Sequence, residues 1–258
     1  MKKHLAIILM SLFAAATAQN HIDDFGRKQG VWVKYHDNGN KLYEGVFKND
    51  QPVGEFIRYH ENGKIKSRQL FNGTSATATE LYKTDGKLFA KGVYNGTQKD
   101  GEWLYYSTKG EMFFRENYKN GIREGVSSLY DDGGNVFETI EWRDGKMDGM
   151  HTKYFSNKQI QSEIHYKNNL RDGTSRTFFD NGQKECEGNF VKDKKDGVWT
   201  FYKNDGAVDF SAKYKGGVNL NQKALDKQQQ EQLEENERNA GKIEDPANYV
   251  NNPEEYIY

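Results

Sequence analysis

The residues best able to hold a metal or move a proton are the six histidines, His4, His21, His36, His60, His151 and His165. His36 and His60 lie 24 residues apart. If that spacing is one β-hairpin, their backbones sit about two strand spacings apart, near 10 Å. Two ligands of one zinc must converge within about 4 Å, so a shared metal is not expected and exposed strand-end histidines are. Cys186 is the single cysteine. It cannot form an internal disulfide, and with no motif around it a half-buried thiol is expected rather than a nucleophile. Asp-Gly pairs such as Asp85-Gly86 and Asp144-Gly145 suggest calcium at first sight. Calcium-binding β-rolls repeat about every nine residues, however, and these pairs follow a longer period, so they read as turns. No Gly-x-Ser-x-Gly elbow, P-loop or His-Glu-x-x-His is present. No two reactive side chains can be put together, so no catalytic residue, metal or cofactor is expected, and the chain is not expected to be an enzyme.

The remaining chemistry is aromatic. Sixteen Tyr, 15 Phe and four Trp stand in a chain of 258 residues that is otherwise polar, with a mean hydropathy of -1.00. Such rings stack on sugars, grip a partner, or form a thin core. Their spacing decides what positions them. Gly30, Gly54, Gly101, Gly125, Gly149, Gly173 and Gly197 are separated by 24, 47, 24, 24, 24 and 24 residues. The gap of 47 hides a further unit that opens at Thr77 after a one-residue deletion. Five residues past each opening stand Tyr35, Tyr59, Tyr82, Tyr106, Tyr130, Tyr154, Phe178 and Tyr202. Nine past it Gly recurs from Gly39 to Gly206, with Lys158 as the exception. Seventeen past it come Phe47, Phe71, Tyr94, Tyr118, Trp142, Tyr166, Phe190 and Tyr214. Eight units are therefore in register.

Each unit holds two strand-like runs, as in Glu102 to Tyr106 and Met112 to Tyr118, joined by Asn-Gly or Asp-Gly pairs. Those pairs are expected to supply the positive φ of tight hairpin turns, and Asp148-Gly149 and Asp172-Gly173 to turn into the next unit. Strand parity predicts an apolar odd face, carrying positions 1, 3 and 5 of the first strand and 11 to 17 of the second. Trp32, Trp103 and Trp199 at position 2 fall on the opposite parity. A bulge beside the turn, or a Trp that covers the other face, would each account for them.

The pattern Gly-x-Trp-x-x-Tyr, then Asn-Gly, then an aromatic and a Gly turn resembles the MORN repeat in its bacterial variant, YwqK-like form. It is clearest in residues 30–50, 101–121 and 197–217. The resemblance implies an all-β fold: an elongated array of antiparallel hairpins forming one twisted single-layer sheet, held by contacts between neighbouring units. Unit three lacks its opening Gly, and units five to seven replace the Trp by Ser127, His151 and Ser175.

The ends differ from the array. Lys2 and Lys3 precede an apolar run from Leu5 to Phe13, and Ala16-Thr17-Ala18 supplies small residues before Gln19. Residues 1–18 read as a signal peptide, residues 19–29 as a lead-in and 30–218 as the repeats. Residues 219–258 read as a tail, first a polar helix capping the last hairpin and then, from residue 241, a disordered stretch with Pro246 and Pro253. No second apolar run is long enough for a membrane span once the signal is removed. A net charge of -1 offers no field for nucleic acid or an anionic surface.

These features point to an exported protein, periplasmic or secreted, that acts as a protein-interaction or scaffold module of the bacterial cell envelope or exterior. A glycan- or lipid-headgroup-binding module is the alternative, and the resemblance adds an antitoxin-like role. Trp32, Trp103, Trp199 and His151 are the candidate binding surface.

Overall fold

A computed structural model describes residues 19–240. The predicted signal peptide and the stretch from residue 241, with Pro246 and Pro253, lie outside the described residues. The chain divides at Lys146 into two compact units. Each is a single layer of antiparallel strands paired in sequence order, so the all-β hairpin expectation holds within each.

The first unit contains β1 (His21–Ile22), β2 (Lys28–Tyr35), β3 (Lys41–Lys48), β4 (Gln51–Tyr59), β5 (Ile65–Phe71), β6 (Ala76–Tyr82), β7 (Leu88–Asn95), β8 (Gln98–Tyr106), β9 (Met112–Lys119), β10 (Ile122–Arg123), β11 (Gly125–Tyr130) and β12 (Val136–Arg143). Each strand pairs with the next from β1 to β9, β9 then receives both β10 and β11, and β11 pairs with β12. The second unit contains β13 (Lys146–Tyr154), β14 (Ile160–Lys167), β15 (Leu170–Phe178), β16 (Lys184–Val191), β17 (Lys194–Tyr202), β18 (Val208–Lys215), β19 (Val218–Asn219) and helix α1 (Gln222–Ala240). Its strands also pair consecutively, from β13 to β19.

Two turns alternate along the array. Within each hairpin the turn is the one seen at residues 36–40. The His36 N–H donates to the Asn40 carbonyl, and the Gly39 N–H donates to the His36 carbonyl. The Asn38 carboxamide oxygen accepts the Asn40 N–H at 3.0 Å. Only Gly39 has positive φ here. Asn or Asp before the glycine therefore serves as an acceptor for the chain two residues on, not as a second left-handed residue as the sequence suggested. Between most hairpins the turn has two residues with both φ positive, as at Asn120-Gly121 and Asp144-Gly145, the conformation that matches strand twist, whereas at Gly96-Thr97 only the glycine does.

Asp148-Gly149 and Asp172-Gly173 are not turns. Both lie inside strands, β13 and β15. The opening glycine, with φ of 70° at Gly54 and 67° at Gly101, instead sits at a bulge where pairing with the preceding hairpin slips, as between Gly45–Phe56 and Val46–Val53.

A second slip corrects the expected parity. In every hairpin the register shifts just before the recurring Tyr, Phe178 in the seventh, as between Tyr105 and Tyr106. This β-bulge skips one residue of the second strand, Phe113 in the fourth hairpin, so the positions before and after it change faces. Trp103 pairs with Glu116, and Tyr105 with Phe114. The packed face therefore joins even positions of the first strand to odd positions of the second. Position 1, expected inside, is exposed at Val31, Val126 and Val198.

The helix forms where predicted but does not lie over the last hairpin. Its described side chains are exposed apart from a half-buried Leu225. β19 and Asn221 hold the edge instead. Asn221 accepts the Lys213 N–H at 2.9 Å and donates to the Ser211 carbonyl.

Candidate functional site

The Trp column shows how the sequence builds one face. Trp103 is 0% exposed and Trp199 2%. The indole N–H of Trp103 donates to the Val93 carbonyl at 3.1 Å, and that of Trp199 to the Asn189 carbonyl at 3.1 Å. Both carbonyls lie beside the slip between hairpins. Each ring lies on a glycine of the preceding hairpin: a Cβ on Gly92 would come within 2.4 Å of Trp103, and one on Gly188 within 2.3 Å of Trp199. Gly45 stands under Phe56 in the same way. Neighbouring rings complete the packing edge-on, with Tyr94 at 4.9 Å from Trp103 and Phe190 at 5.0 Å from Trp199.

Cations close this face at five of the eight positions that lie two residues before an opening: Lys28, Lys99, Arg123, Arg171 and Lys195. Lys99 Nζ lies 4.5 Å from the Trp103 ring centre, 5.1 Å from Tyr105 and 4.9 Å from Tyr118. Lys195 does the same over Trp199, Phe201 and Tyr214, and Lys28 over Trp32 and Phe47. Such contacts strengthen as water is excluded. Around Lys99 the rings lead to a buried carboxylate, Glu116. Glu116 accepts from Tyr105 Oη at 2.9 Å, Tyr118 Oη at 2.7 Å and Arg123 Nε at 2.5 Å, while Lys99 donates to Tyr105 Oη at 2.6 Å. Burial, and then bonding to Glu116, raises both phenols above the ordinary tyrosine range. Burial lowers the Lys99 ammonium, against the pull of Glu116. The carboxylate is engaged by three donors, so this cluster acts as a lock between hairpins.

The candidate binding residues thus separate. Trp103 and Trp199 are core, not contact surface, because the glycines beneath and lysines above enclose them. Trp32 is half-buried, donates to the Gln29 carbonyl at 3.2 Å and is capped by Lys28. His151 is half-buried with its ring 5.7 Å from Tyr166. Within the first unit Trp32 and Trp103 stand on separate strands, β2 and β8, and within the second His151 and Trp199 stand on β13 and β17. His36 and His60 are half-buried rather than exposed, since each Nε2 reaches the carbonyl of the next hairpin's Tyr, Tyr59 at 3.3 Å and Tyr82 at 3.0 Å. Among the described residues no group of three or more His, Cys, Asp or Glu is placed to hold a metal ion. Cys186 is half-buried, and burial raises its thiol pKa.

The sequence matches the MORN repeat variant at residues 28–49, 52–72, 99–120, 147–168 and 171–192, five of the eight hairpins. The chain is a MORN-variant repeat protein. Repeats of this family point to a repeat-based binding module. No curated protein matches the chain. Among solved structures, the Photorhabdus luminescens Tc holotoxin pore is 12% identical with a TM-score of 0.17. TcdB2-TccC3-TEV is 13% identical with a TM-score of 0.15. The matches cover 74% and 71% of this chain but only 14% and 12% of those chains. No helix among the described residues is long and apolar enough to cross a membrane.

In this MORN-variant protein the other face is the open one. Glu44 accepts from Tyr59 Oη, and Glu187 from Tyr202 Oη at 2.6 Å. Arg68 pairs with Glu55 at 3.3 Å, Arg115 with Glu102 at 3.8 Å and Arg176 with Glu163 at 3.6 Å. At the turn end of the packed face, where the Phe89 ring lies 5.9 Å from Tyr105, the residues skipped by the bulge form a column that sequence reasoning missed. Phe89, Phe113 and Phe137, all twelve residues past their opening positions, are 37%, 40% and 39% exposed. The signal was present as three Phe at 24-residue spacing, hidden by the more numerous aromatics of the packed face.

Proposed function

We propose that the chain is an exported, non-catalytic binding module of the bacterial cell envelope or exterior, and that its partner is a protein. The observation that carries this reading is a repeat array with exposed aromatic rings recurring along it. Phe89, Phe113 and Phe137 recur at the hairpin spacing and are 37%, 40% and 39% exposed. A regular exposed apolar column on a repeat array is a contact surface. The basic, apolar and small-residue sequence of residues 2–18 supports export.

Crosslinking of the full chain in envelope fractions, followed by mass spectrometry, tests the reading. One or a few specific protein adducts are expected, and their absence at every crosslinker length would sink it. A glycan is the second reading, because exposed Phe rings can also stack on sugars. Saturable binding on a glycan array, without protein adducts, would move the proposal to that class.

A further inference from the structure

We infer that Asn72-Gly73 is a self-modification site, at which the chain converts its own asparagine through a cyclic imide to aspartate and isoaspartate. Water is the only other reactant, so no partner is needed.

The reaction is open to an asparagine that precedes glycine, because no side chain keeps the glycine nitrogen away from the carboxamide. That nitrogen loses its proton to hydroxide and forms a bond to the asparagine Cγ. The carboxamide C–N bond breaks, and its nitrogen takes up a proton and leaves as ammonia. Water then adds to either carbonyl of the imide and opens the ring. Water is consumed and ammonia released in equal amounts, with nothing oxidised or reduced.

The chain has six Asn-Gly pairs, at Asn38, Asn62, Asn72, Asn95, Asn120 and Asn181. In all but the pair at Asn72 the glycine nitrogen is engaged. Gly39, Gly63 and Gly182 donate to the His36, His60 and Phe179 carbonyls of their own turns. Gly96 and Gly121 donate across to the Ser75 and Lys99 carbonyls. Asn38, Asn62 and Asn181 also have their carboxamides tied, with Nδ2 donating to the Glu61, Thr84 and Asn204 carbonyls. Such bonds must break before the nitrogen can attack Cγ.

Asn72-Gly73 is built differently. Among the described residues the Gly73 N–H and Asn72 Nδ2 donate to no group. Both residues are exposed, and a Cβ on Gly73 would meet nothing within 4 Å, so the turn has room to close the ring. Asn72 Oδ1 accepts the Thr74 N–H at 3.1 Å and the Thr74 hydroxyl at 2.7 Å. The same hydroxyl lies farther from the Ala76 carbonyl, at 3.2 Å. Negative charge gathers on Oδ1 as the nitrogen adds to Cγ, and donors already aimed at it stabilise that charge.

Strand pairing explains the exception. β5 and β6 pair without a slip up to Phe71–Thr77, which leaves residues 72–75 outside both strands. At the following turns Asn95 pairs with Gln98 and Lys119 with Ile122, around two residues each. The longer loop gives the Gly73 nitrogen no carbonyl to meet. The product carries a carboxylate where the turn was neutral, and isoaspartate also lengthens the backbone, so the reaction alters the link between the second and third hairpins.

The test is incubation of the folded full chain in mildly alkaline buffer, followed by digestion and mass spectrometry of all six Asn-Gly peptides. Replacement of NH2 by OH marks conversion, and labelling by an isoaspartate methyltransferase marks the isoaspartate fraction. Asn72 is expected to convert roughly tenfold faster or more than any other pair, since an engaged nitrogen must first lose a hydrogen bond. In urea the spread among the pairs is expected to collapse, because the turns that distinguish them are gone. Thr74→Val removes one donor to Oδ1 and is expected to slow Asn72 roughly tenfold or more, with Asn120 unchanged. The comparison of buffer with urea needs no variant and decides the matter if this one unfolds. A rate at Asn72 no faster than at the other pairs, an equal lead in urea, or an unchanged rate in folded Thr74→Val overturns the inference.

Discussion

Lys158 shows how far a single residue can depart from its column. Seven hairpins place Gly at this turn position and the sixth places Lys, which adopts a φ of 71°. The Phe155 carbonyl accepts its N–H at 2.9 Å, as in the glycine turns, so the fold overrides the residue. Holding an L-residue in the left-handed region costs roughly 1 kcal/mol, and Lys158→Gly is expected to raise stability by about that amount in urea unfolding. No gain would mean that the Lys side chain makes a compensating contact. Single phenols give a second expectation. Burial, and next the bond to Glu80, pushes Tyr82 up to about 12; burial, and next Glu44 and Glu116, raises Tyr59 and Tyr105. A phenol held above its unfolded value of about 10 contributes stability that is complete below that pH and is lost as pH rises through the folded value. Folding is therefore expected to weaken progressively between about pH 10 and 12. Tyrosinate absorbance should lag behind that of free tyrosine until the chain unfolds. Ionisation of all tyrosines near pH 10 with the sheet intact would contradict these bonds.

Each hairpin is fitted to the one before it. Where position 2 holds a large ring (Phe56, Trp103, Trp199), position 15 of the preceding hairpin is Gly45, Gly92 or Gly188; where it holds Thr79 or Ser175, that position is Gln69 or Ile164. The pairs Gln69–Thr79 and Ile164–Ser175 face each other directly. Gly92→Ala is expected to destabilise by about 1–3 kcal/mol, because the new methyl meets a buried indole. Gly92→Ile combined with Trp103→Ser copies the Ile164–Ser175 arrangement and should recover part of the loss, with a coupling of about 1 kcal/mol or more. Strict additivity of the two substitutions in urea unfolding would reject this complementarity. The rule was written in the sequence, since both columns are readable at 24-residue spacing. It was missed because parity carried across the hairpin joined the second strand's odd positions to the Tyr, whereas the bulge joins them to the Trp. The period, the two strands and the turn positions were legible from Gly and aromatic spacing. The bulges were not, because they arise from pairing between hairpins. Burial of the Trp column was not legible either, since an exposed ring and a core ring are the same letter.

Across a whole compact unit the same fit should govern which pieces can be removed. In a linear array stability is set by each repeat and by its interface with the next, so removing a repeat matters chiefly through the interface newly created. Deleting residues 77–100 brings Gln69 under Trp103, a large residue beneath a large ring. Deleting residues 54–100 removes nearly twice as much chain but brings Gly45 under Trp103, restoring the glycine–indole pairing found at Gly92. Both deletions remove Lys99 and leave Tyr105, Glu116, Tyr118 and Arg123 in place, so that cluster does not separate them. The expected order is therefore inverted with respect to size: the 54–100 deletion should unfold at a higher urea midpoint than the 77–100 deletion. Its slope should be lower than that of the full chain because less surface is exposed on unfolding. Unfolding followed by tryptophan emission reports the junction itself, since Trp103 lies at it in both chains. A midpoint that simply tracks the number of residues removed would show that interface fit does not control the array. The inverted order would make the small-under-large alternation, rather than the count of repeats, the rule by which such a chain can be lengthened or shortened.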